Sequence, residues 1–180
     1  MVKIFLLFVA LSAQSANAQI FIKGNCLYWL ALMPDLQVET RLSDHFTASG
    51  EGFCSLWQSI NGNPVMVGML TPDVRWYPKS SFIGFYLGAY TSGNIFKLSK
   101  PGYYWNHHLY QKGYSFGYGA TAGYELKLSD KWMLEATISY GRNMARYKGY
   151  FQNGEPYIIW NGSAEWLPYR FGIVIGYRIG

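Results

Sequence analysis

The chain has 180 residues, enough for one domain. Charged residues make up 14% of it and aromatic residues 19%, which excludes a disordered chain, because such chains are rich in charge and poor in aromatics. The same composition excludes a coiled coil, and two cysteines are too few for a disulfide scaffold. The basic residues are scattered rather than striped, so we expect no nucleic-acid partner.

Residues 1–18 have the pattern of an export signal. Lys3 precedes an apolar run over 4–13, and 16–18 form a small-x-small cleavage site. The run is shorter than the about 20 apolar residues that span a bilayer. We therefore predict a signal peptide over 1–18 and one domain over 19–180. That domain is either soluble after export or a membrane barrel, whose strands hide apolar residues by alternation.

Alternation of apolar and polar residues with period two dominates the rest of the chain. It is clearest at 131–141, where Leu134 and Ile138 share one face while Glu135 and Thr137 share the other. Eight strands are predicted, in chain order, at about 20–30, 36–42, 46–57, 72–77, 82–93, 113–128, 131–150 and 165–179.

Short and long connections alternate between these strands. Tight polar turns are predicted at 43–45, 78–81 and 129–130, and longer connections near 31–35, 58–70, 94–112 and 151–164. All the short turns then lie at one end, as in outer-membrane barrels with short periplasmic turns and longer outside loops. The sequence predicts an all-β fold, an eight-stranded antiparallel up-and-down transmembrane β-barrel located in the outer membrane.

Charged residues fall on one face of the predicted strands, and two observations favour an inward position for that face. Large aromatics gather near the strand ends, where they suit a water–lipid boundary, and 14% charge is low for a soluble surface, which is usually about 25–35% charged. Opposite charges are then expected to pair inside and plug the barrel without leaving a pore. The predicted interior ion-pair network consists of Glu39, Arg41, Glu51, Arg75, Glu125, Glu135 and Arg178.

Several stretches resemble a known family. They are KGNCLYW at 23–29, PDLQVETRLSDHFTASG at 34–50, VRWYPKSSFIGFYLGAY at 74–90 and GYSFGYGATAGYELKLSDKWMLEATISYG at 113–141. They resemble a family of small outer-membrane proteins of unknown function from Bacteroidetes-type bacteria, with an architecture similar to the transmembrane domain of the outer membrane protein A type. The resemblance implies a barrel inserted by the barrel assembly machinery, and it carries over no catalytic residue.

Candidate chemistry is sparse along the chain. His107 and His108 are adjacent in the third long connection, but no Cys, Asp or Glu lies nearby in sequence to complete a metal site, so no metal and no cofactor are expected. His108 and Ser115 form the nearest base–hydroxyl pair, and Glu125 can face Glu135 across neighbouring strands. These pairs keep open an alternative function, a lipid A or phospholipid modifying enzyme.

The favoured hypothesis is a non-enzymatic barrel that acts as a structural, adhesive or assembly component of the cell surface. Its expected contact surface is aromatic and lies in two outer loops: Tyr103, Tyr104, Trp105, His107, His108, Tyr110, Tyr150, Phe151, Tyr157 and Trp160. Expected partners are outer-membrane lipid, an unidentified protein, and lipopolysaccharide, whose phosphates suit the basic residues Lys97, Lys100, Lys112, Arg142, Arg146 and Lys148. A second alternative is a soluble exported ligand-binding barrel.

Overall fold

The computed structural model describes residues 19–55, 57, 59–60, 62–100 and 107–180, so the predicted signal peptide lies outside the described residues. The described chain forms nine strands and one short helix. They are β1 (Ile20–Asn25), α1 (Cys26–Leu30), β2 (Asp35–Arg41), β3 (Phe46–Cys54), β4 (Ser59–Ile60), β5 (Asn63–Trp76), β6 (Gly84–Leu98), β7 (Tyr110–Lys127), β8 (Trp132–Tyr150) and β9 (Pro156–Arg178). In this part of the chain no helix has the length and apolar character needed to cross a membrane.

Eight of the strands join into a ring. The order is β3-β2-β1-β9-β8-β7-β6-β5, every neighbouring pair is antiparallel, and β5 pairs with β3 to close the circle. The ninth, β4, pairs only with β5 as a two-residue extension of it. The predicted all-β class and the eight antiparallel strands are therefore confirmed.

Tight turns occupy one end of the ring, the end where β1 begins and β9 finishes. At two of them the backbone N–H groups of Leu42 and Leu128 donate to the carbonyl oxygens of Phe46 and Trp132. The turn at 77–83 lies at the same end, which we call the short-turn end. The remaining connections, including α1, lie at the opposite end, the long-connection end.

The structure differs from the predicted strand limits mainly at the long-connection end. Residues 26–30 form α1 rather than the end of a strand, because the Asn25 side chain accepts a hydrogen bond from the Leu27 N–H (3.1 Å) and caps a helical turn. β5 begins at Asn63 rather than at 72, and β9 at Pro156 rather than at 165. Register shifts between β8 and β9 interrupt the period-two pattern there, which hides the continuing ladder from a sequence reading.

The two faces of the ring differ in polarity in the predicted sense. Charged side chains such as Lys23, Glu39 and Arg75 point inward and are buried, while Leu87 and Ile138 point outward and are exposed. The buried apolar cluster is small and consists of Phe21, Phe82 and Met133 near the short-turn end. The interior of this ring is therefore mainly polar and its outer wall mainly apolar.

Inside the ring of strands, glycines of β7 and β8 leave room for a tyrosine side chain from the neighbouring strand β6. Gly119 of β7 lies opposite Gly141 of β8, and the Tyr90 side chain covers both. A Cβ atom at Gly119 would lie 2.3 Å from the Tyr140 carbonyl oxygen and 2.9 Å from the Tyr90 ring. By contrast, Gly93 faces outward, and a Cβ atom there meets nothing within 4 Å.

We predict that Gly119→Ala lowers the free energy of unfolding by about 1–3 kcal/mol, because the added methyl group displaces backbone or the Tyr90 ring in a packed interior. The matched variant Gly93→Ala should change it by less than about 0.5 kcal/mol. Equilibrium unfolding in urea, followed by tryptophan fluorescence, measures both. Equal effects of the two substitutions would contradict the tight packing at Gly119.

Candidate functional site

A cluster of buried ionisable side chains fills the middle of the ring, and every ring strand contributes to it. We call it the inner cluster. Its charged members are Lys23, Glu39, Glu51, Asp73, Arg75, Glu125, Glu135 and Arg170, from β1, β2, β3, β5, β7, β8 and β9. The remaining ring strand, β6, adds the hydroxyl of Tyr86. All these side chains point inward because each occupies the inward phase of its strand.

Three glutamates surround the Lys23 ammonium group. Its Nζ atom lies 2.5 Å from Glu39 Oε2, 2.6 Å from Glu125 Oε1 and 2.9 Å from Glu135 Oε2. Glu125 and Glu135 stand directly opposite each other on β7 and β8, an arrangement that would be repulsive without a cation between them. The lysine therefore offsets the repulsion of three converging carboxylates.

Arg75 shares the same three carboxylates from the other side. Its Nη1 atom lies 2.8 Å from Glu39 Oε2, 3.3 Å from Glu125 Oε1 and 3.2 Å from Glu135 Oε2. Its Nε atom also donates to Asp73 Oδ1 at 3.1 Å. Arg75 thus links the glutamate triad to a second part of the cluster.

That second part is centred on Arg170. Its Nη2 atom lies 3.1 Å from Asp73 Oδ2, and its Nη1 atom pairs with Glu51. Asp73 bridges the two arginines and also accepts a hydrogen bond from the Ser49 hydroxyl at 2.7 Å. The ion pairs therefore form one continuous network across the interior.

Hydroxyl groups give the three glutamates further hydrogen-bond partners. Tyr86 OH donates to Glu135 Oε1 at 2.5 Å, and Thr47 donates to Glu39 Oε1 at 2.5 Å. Tyr77 OH lies 3.0 Å from Oε1 of both Glu39 and Glu125. These hydrogen bonds lower the cost of burying ionised carboxylates.

The glutamate triad also has the composition of a cation site. Carboxylate oxygens of Glu39, Glu125 and Glu135 lie within 4.8 Å of one another, and oxygen ligands suit hard divalent cations. The Lys23 ammonium group, however, stands within ion-pair distance of all three. The geometry therefore fits an internal ion-pair network better than a metal centre.

Five of the seven residues predicted for the interior network lie in the inner cluster, and the other two, Arg41 and Arg178, lie outside it. Arg41 lies at the short-turn end, with its side chain 31% exposed, and pairs with Asp44 at 2.5 Å. Arg178 is half-buried and donates from Nε to the Gly180 carbonyl oxygen at 2.6 Å. Both residues occupy the last position of a strand, where the inward phase opens onto the mouth of the ring.

Three members of the inner cluster lie outside the predicted network. They are Lys23 of β1, Asp73 of β5 and Arg170 of β9. Arg170 has the same phase as Val174 and Gly176, so the alternation alone places it inside. Pro168 and the register shift beside it obscured that signal, because they mark the point where the pairing of β9 changes.

The predicted base–hydroxyl pair is not formed. The Ser115 hydroxyl is buried and accepts a hydrogen bond from Asn94 Nδ2 at 2.9 Å, while His108 is exposed in a turn. The third histidine, His45, contacts the Tyr77 carbonyl oxygen through Nδ1 at 2.9 Å and so ties two tight turns together.

The aromatic contact surface is described only in part, because Tyr103, Tyr104 and Trp105 lie outside the described residues. Four of its other members pack in pairs. The rings of Tyr110 and Tyr150 stack at 5.2 Å, and those of Phe151 and Tyr157 lie 5.3 Å apart. Among the remaining described members, His107, His108 and Trp160 are exposed.

Comparison with known proteins gives a family and no function. Residues 2–179 match a family described as "Protein of unknown function (DUF3575)". No curated protein matches the chain, and no solved structure does.

We predict that Arg75→Met destabilises the fold by about 3–5 kcal/mol, because it leaves buried carboxylates without their shared cation. The matched variant Arg41→Met removes an arginine that is partly exposed at the rim, and it should cost no more than about 1 kcal/mol. Guanidinium unfolding of both variants measures the difference. Similar losses would show that the inner cluster contributes no more to stability than a rim ion pair.

Proposed function

We propose that this chain, which belongs to the DUF3575 family of proteins of unknown function, is a transmembrane β-barrel of the bacterial outer membrane with a plugged interior. It serves as a structural, adhesive or assembly component of the cell surface and performs no chemistry. One observation carries the proposal. The polarity is inverted relative to a soluble protein, since the buried centre is charged and the exposed wall is apolar.

The apolar wall surrounds the whole ring. Exposed outward residues from each ring strand include Ile22, Leu36, Phe46, Val74, Leu87, Tyr124, Ile138 and Ile173. A continuous belt of this kind is far larger than the apolar patches of soluble monomers. Lipid is the solvent that such a belt suits, and alternation of apolar-out and polar-in residues is the pattern of membrane strands.

Aromatic pairs border the belt at two levels. Trp132 and Tyr177 contact edge to face at 4.9 Å near the short-turn end, and Tyr140 stacks on Trp166 at 5.8 Å toward the other end. Trp132 and Tyr140 are eight positions apart on β8, which is about 26 Å along the strand. With strands tilted by about 40° to the axis of a barrel, the two levels are separated by about 20 Å along that axis. That height is close to the apolar band of about 25 Å in outer-membrane barrels.

The contents of the ring support a plug rather than a channel or a ligand cavity. An eight-stranded barrel has an interior just wide enough for side chains. Here the inner cluster crosses it, since Arg170 of β9 pairs with Asp73 of β5 on the opposite side of the ring, and Phe21, Phe82 and Met133 pack near the short-turn end. A soluble ligand-binding barrel would instead need an apolar cavity at this level.

We expect the native protein to stay in the membrane fraction after an alkaline carbonate wash, because only an embedded chain resists it. It should also migrate differently on a denaturing gel before and after boiling, since a closed barrel keeps its compact form in detergent. Release by the wash with no mobility change would overturn the membrane assignment. In the same membranes, a lipid A or phospholipid mass that changes with the gene would instead favour the modifying enzyme.

Substitution of an outward residue by lysine at the middle of the apolar wall tests whether lipid or water surrounds that wall. Ile173 pairs with Ala136, halfway between Trp132 and Tyr140 on β8, and is 48% exposed, whereas Ile95 is 69% exposed nearer the long-connection end of β6. In a membrane, Ile173→Lys should cost about 2–4 kcal/mol and the matched Ile95→Lys only about 0–1 kcal/mol. On a soluble protein both would be near neutral. Unfolding in lipid vesicles measures the pair, and two neutral variants would contradict the proposal.

A further inference from the structure

Three lysines stand side by side on the outer wall at the long-connection end. In the strand register, Lys112 of β7 pairs with Lys97 of β6 on one side and with Lys148 of β8 on the other. Neighbouring strands are about 4.8 Å apart, so the three residues form a row about 10 Å wide. Like charges in directly opposite positions are unfavourable without a counter-charge, which makes this row unusual.

The described part of the chain supplies no counter-charge for the row. None of the three lysines forms a salt bridge with a described residue, whereas the nearby Lys100 pairs with Glu165 at 2.8 Å. Two of them rest on aromatic rings instead: Lys97 Nζ lies 5.0 Å from the Tyr110 ring and Lys148 Nζ lies 5.0 Å from the Trp160 ring. These contacts hold the ammonium groups in place and leave their charge unneutralised.

The row lines a groove with a volume of about 710 Å³. Its other walls are largely apolar and include Met66, Ile95, Tyr114 and Trp160. On β8, Arg146 and Arg142 lie closer than Lys148 to the short-turn end. Both also face outward and are exposed, and neither forms a salt bridge with a described residue. Arg142 follows Tyr140 of the Tyr140–Trp166 pair by two positions, so the cations lie on the long-connection side of that aromatic pair.

We infer that this surface, formed by Lys97, Lys112, Lys148, Arg142 and Arg146, binds the phosphate groups of an outer-leaflet glycolipid of the lipopolysaccharide type. The inference rests on the proposed membrane location. The acyl chains of such a lipid lie along the apolar wall, and its headgroup meets the cations above that wall. Arg142 and Lys148 are about 20 Å apart along β8, so the surface reaches anionic groups at more than one depth.

The number of cations favours a multiply phosphorylated headgroup over an ordinary phospholipid. A phosphate monoester carries a charge of about −1.5 to −2 near neutral pH, so two of them balance the lysine row. A phospholipid joined through one phosphodiester offers a single negative charge. Lysine binds phosphate as a point charge without strict geometry, which suits a mobile lipid headgroup.

Native mass spectrometry of the full chain, folded in detergent micelles, tests the inference. The test variant combines Lys97→Gln, Lys112→Gln and Lys148→Gln. The matched control combines Lys79→Gln, Lys127→Gln and Lys131→Gln, which remove the same charge from the short-turn end, where all three lysines are exposed. We expect the test variant to bind purified lipopolysaccharide more weakly by about tenfold or more, and the control to stay within about twofold of the native protein.

Three further probes identify the source of the phosphate. Lipopolysaccharide stripped of its phosphates and phosphatidylglycerol should both bind the native protein more weakly by about tenfold or more. Inorganic phosphate should not displace the bound glycolipid. Equal binding by the test and control variants, equal binding of the stripped lipid or phosphatidylglycerol, or displacement by inorganic phosphate would each overturn the inference.

Failure of this inference is distinguishable from failure of the proposed function. A chain that resists the carbonate wash and changes mobility on boiling, yet binds no lipopolysaccharide, is a membrane barrel without this site. A chain that the wash releases fails the earlier proposal itself. The same boiling test, applied to the test and control variants, checks whether a variant that no longer binds lipopolysaccharide is still folded.

Discussion

The structure depends on the need to pair charges that are removed from water. Lys23 and Arg75 together hold three converging glutamates, and Asp73 links them to Arg170. A buried carboxylate that loses its cation is costly, so these partners tie together strands that are far apart in the chain. A slip of one residue in any of the seven strands that supply a charged member would turn that side chain outward and leave its partners unpaired. The cluster therefore specifies the strand register.

The charged inner face and the apolar outer face both result from the alternation of side-chain directions along each strand. A strand that presents Glu135 to the cluster must present Leu134 and Ala136 to the outside. The charged centre and the apolar wall are consequently not separate adaptations, because each strand contributes to both. Glycines such as Gly119 complete this arrangement by giving the inward tyrosines room between closely spaced strands.

The sequence supports the fold better than the details of the site. Period-two alternation in β7 and β8 identifies the strands and the inward phase of Glu125 and Glu135. It does not show that Arg41 and Arg178 lie at strand ends, where an inward phase no longer means burial. Register shifts between β8 and β9 obscured Arg170 and the first part of β9, and a local cap at Asn25 replaced strand by helix. The lysine row needs the pairing of three strands, which no single segment reveals.

The position of Lys23 in the chain has a consequence for biogenesis. The residue lies 102 and 112 positions before its partners Glu125 and Glu135, and it belongs to the first strand of the ring. Glu39 of the next strand is close in the chain, but the first strand of the ring completes its set of counterions only when β7 and β8 are in place. An unfinished sheet exposes unmatched charge that a hydrocarbon layer rejects. In the membrane location proposed for this chain, the bilayer would therefore favour insertion of the closed ring over insertion of an incomplete sheet.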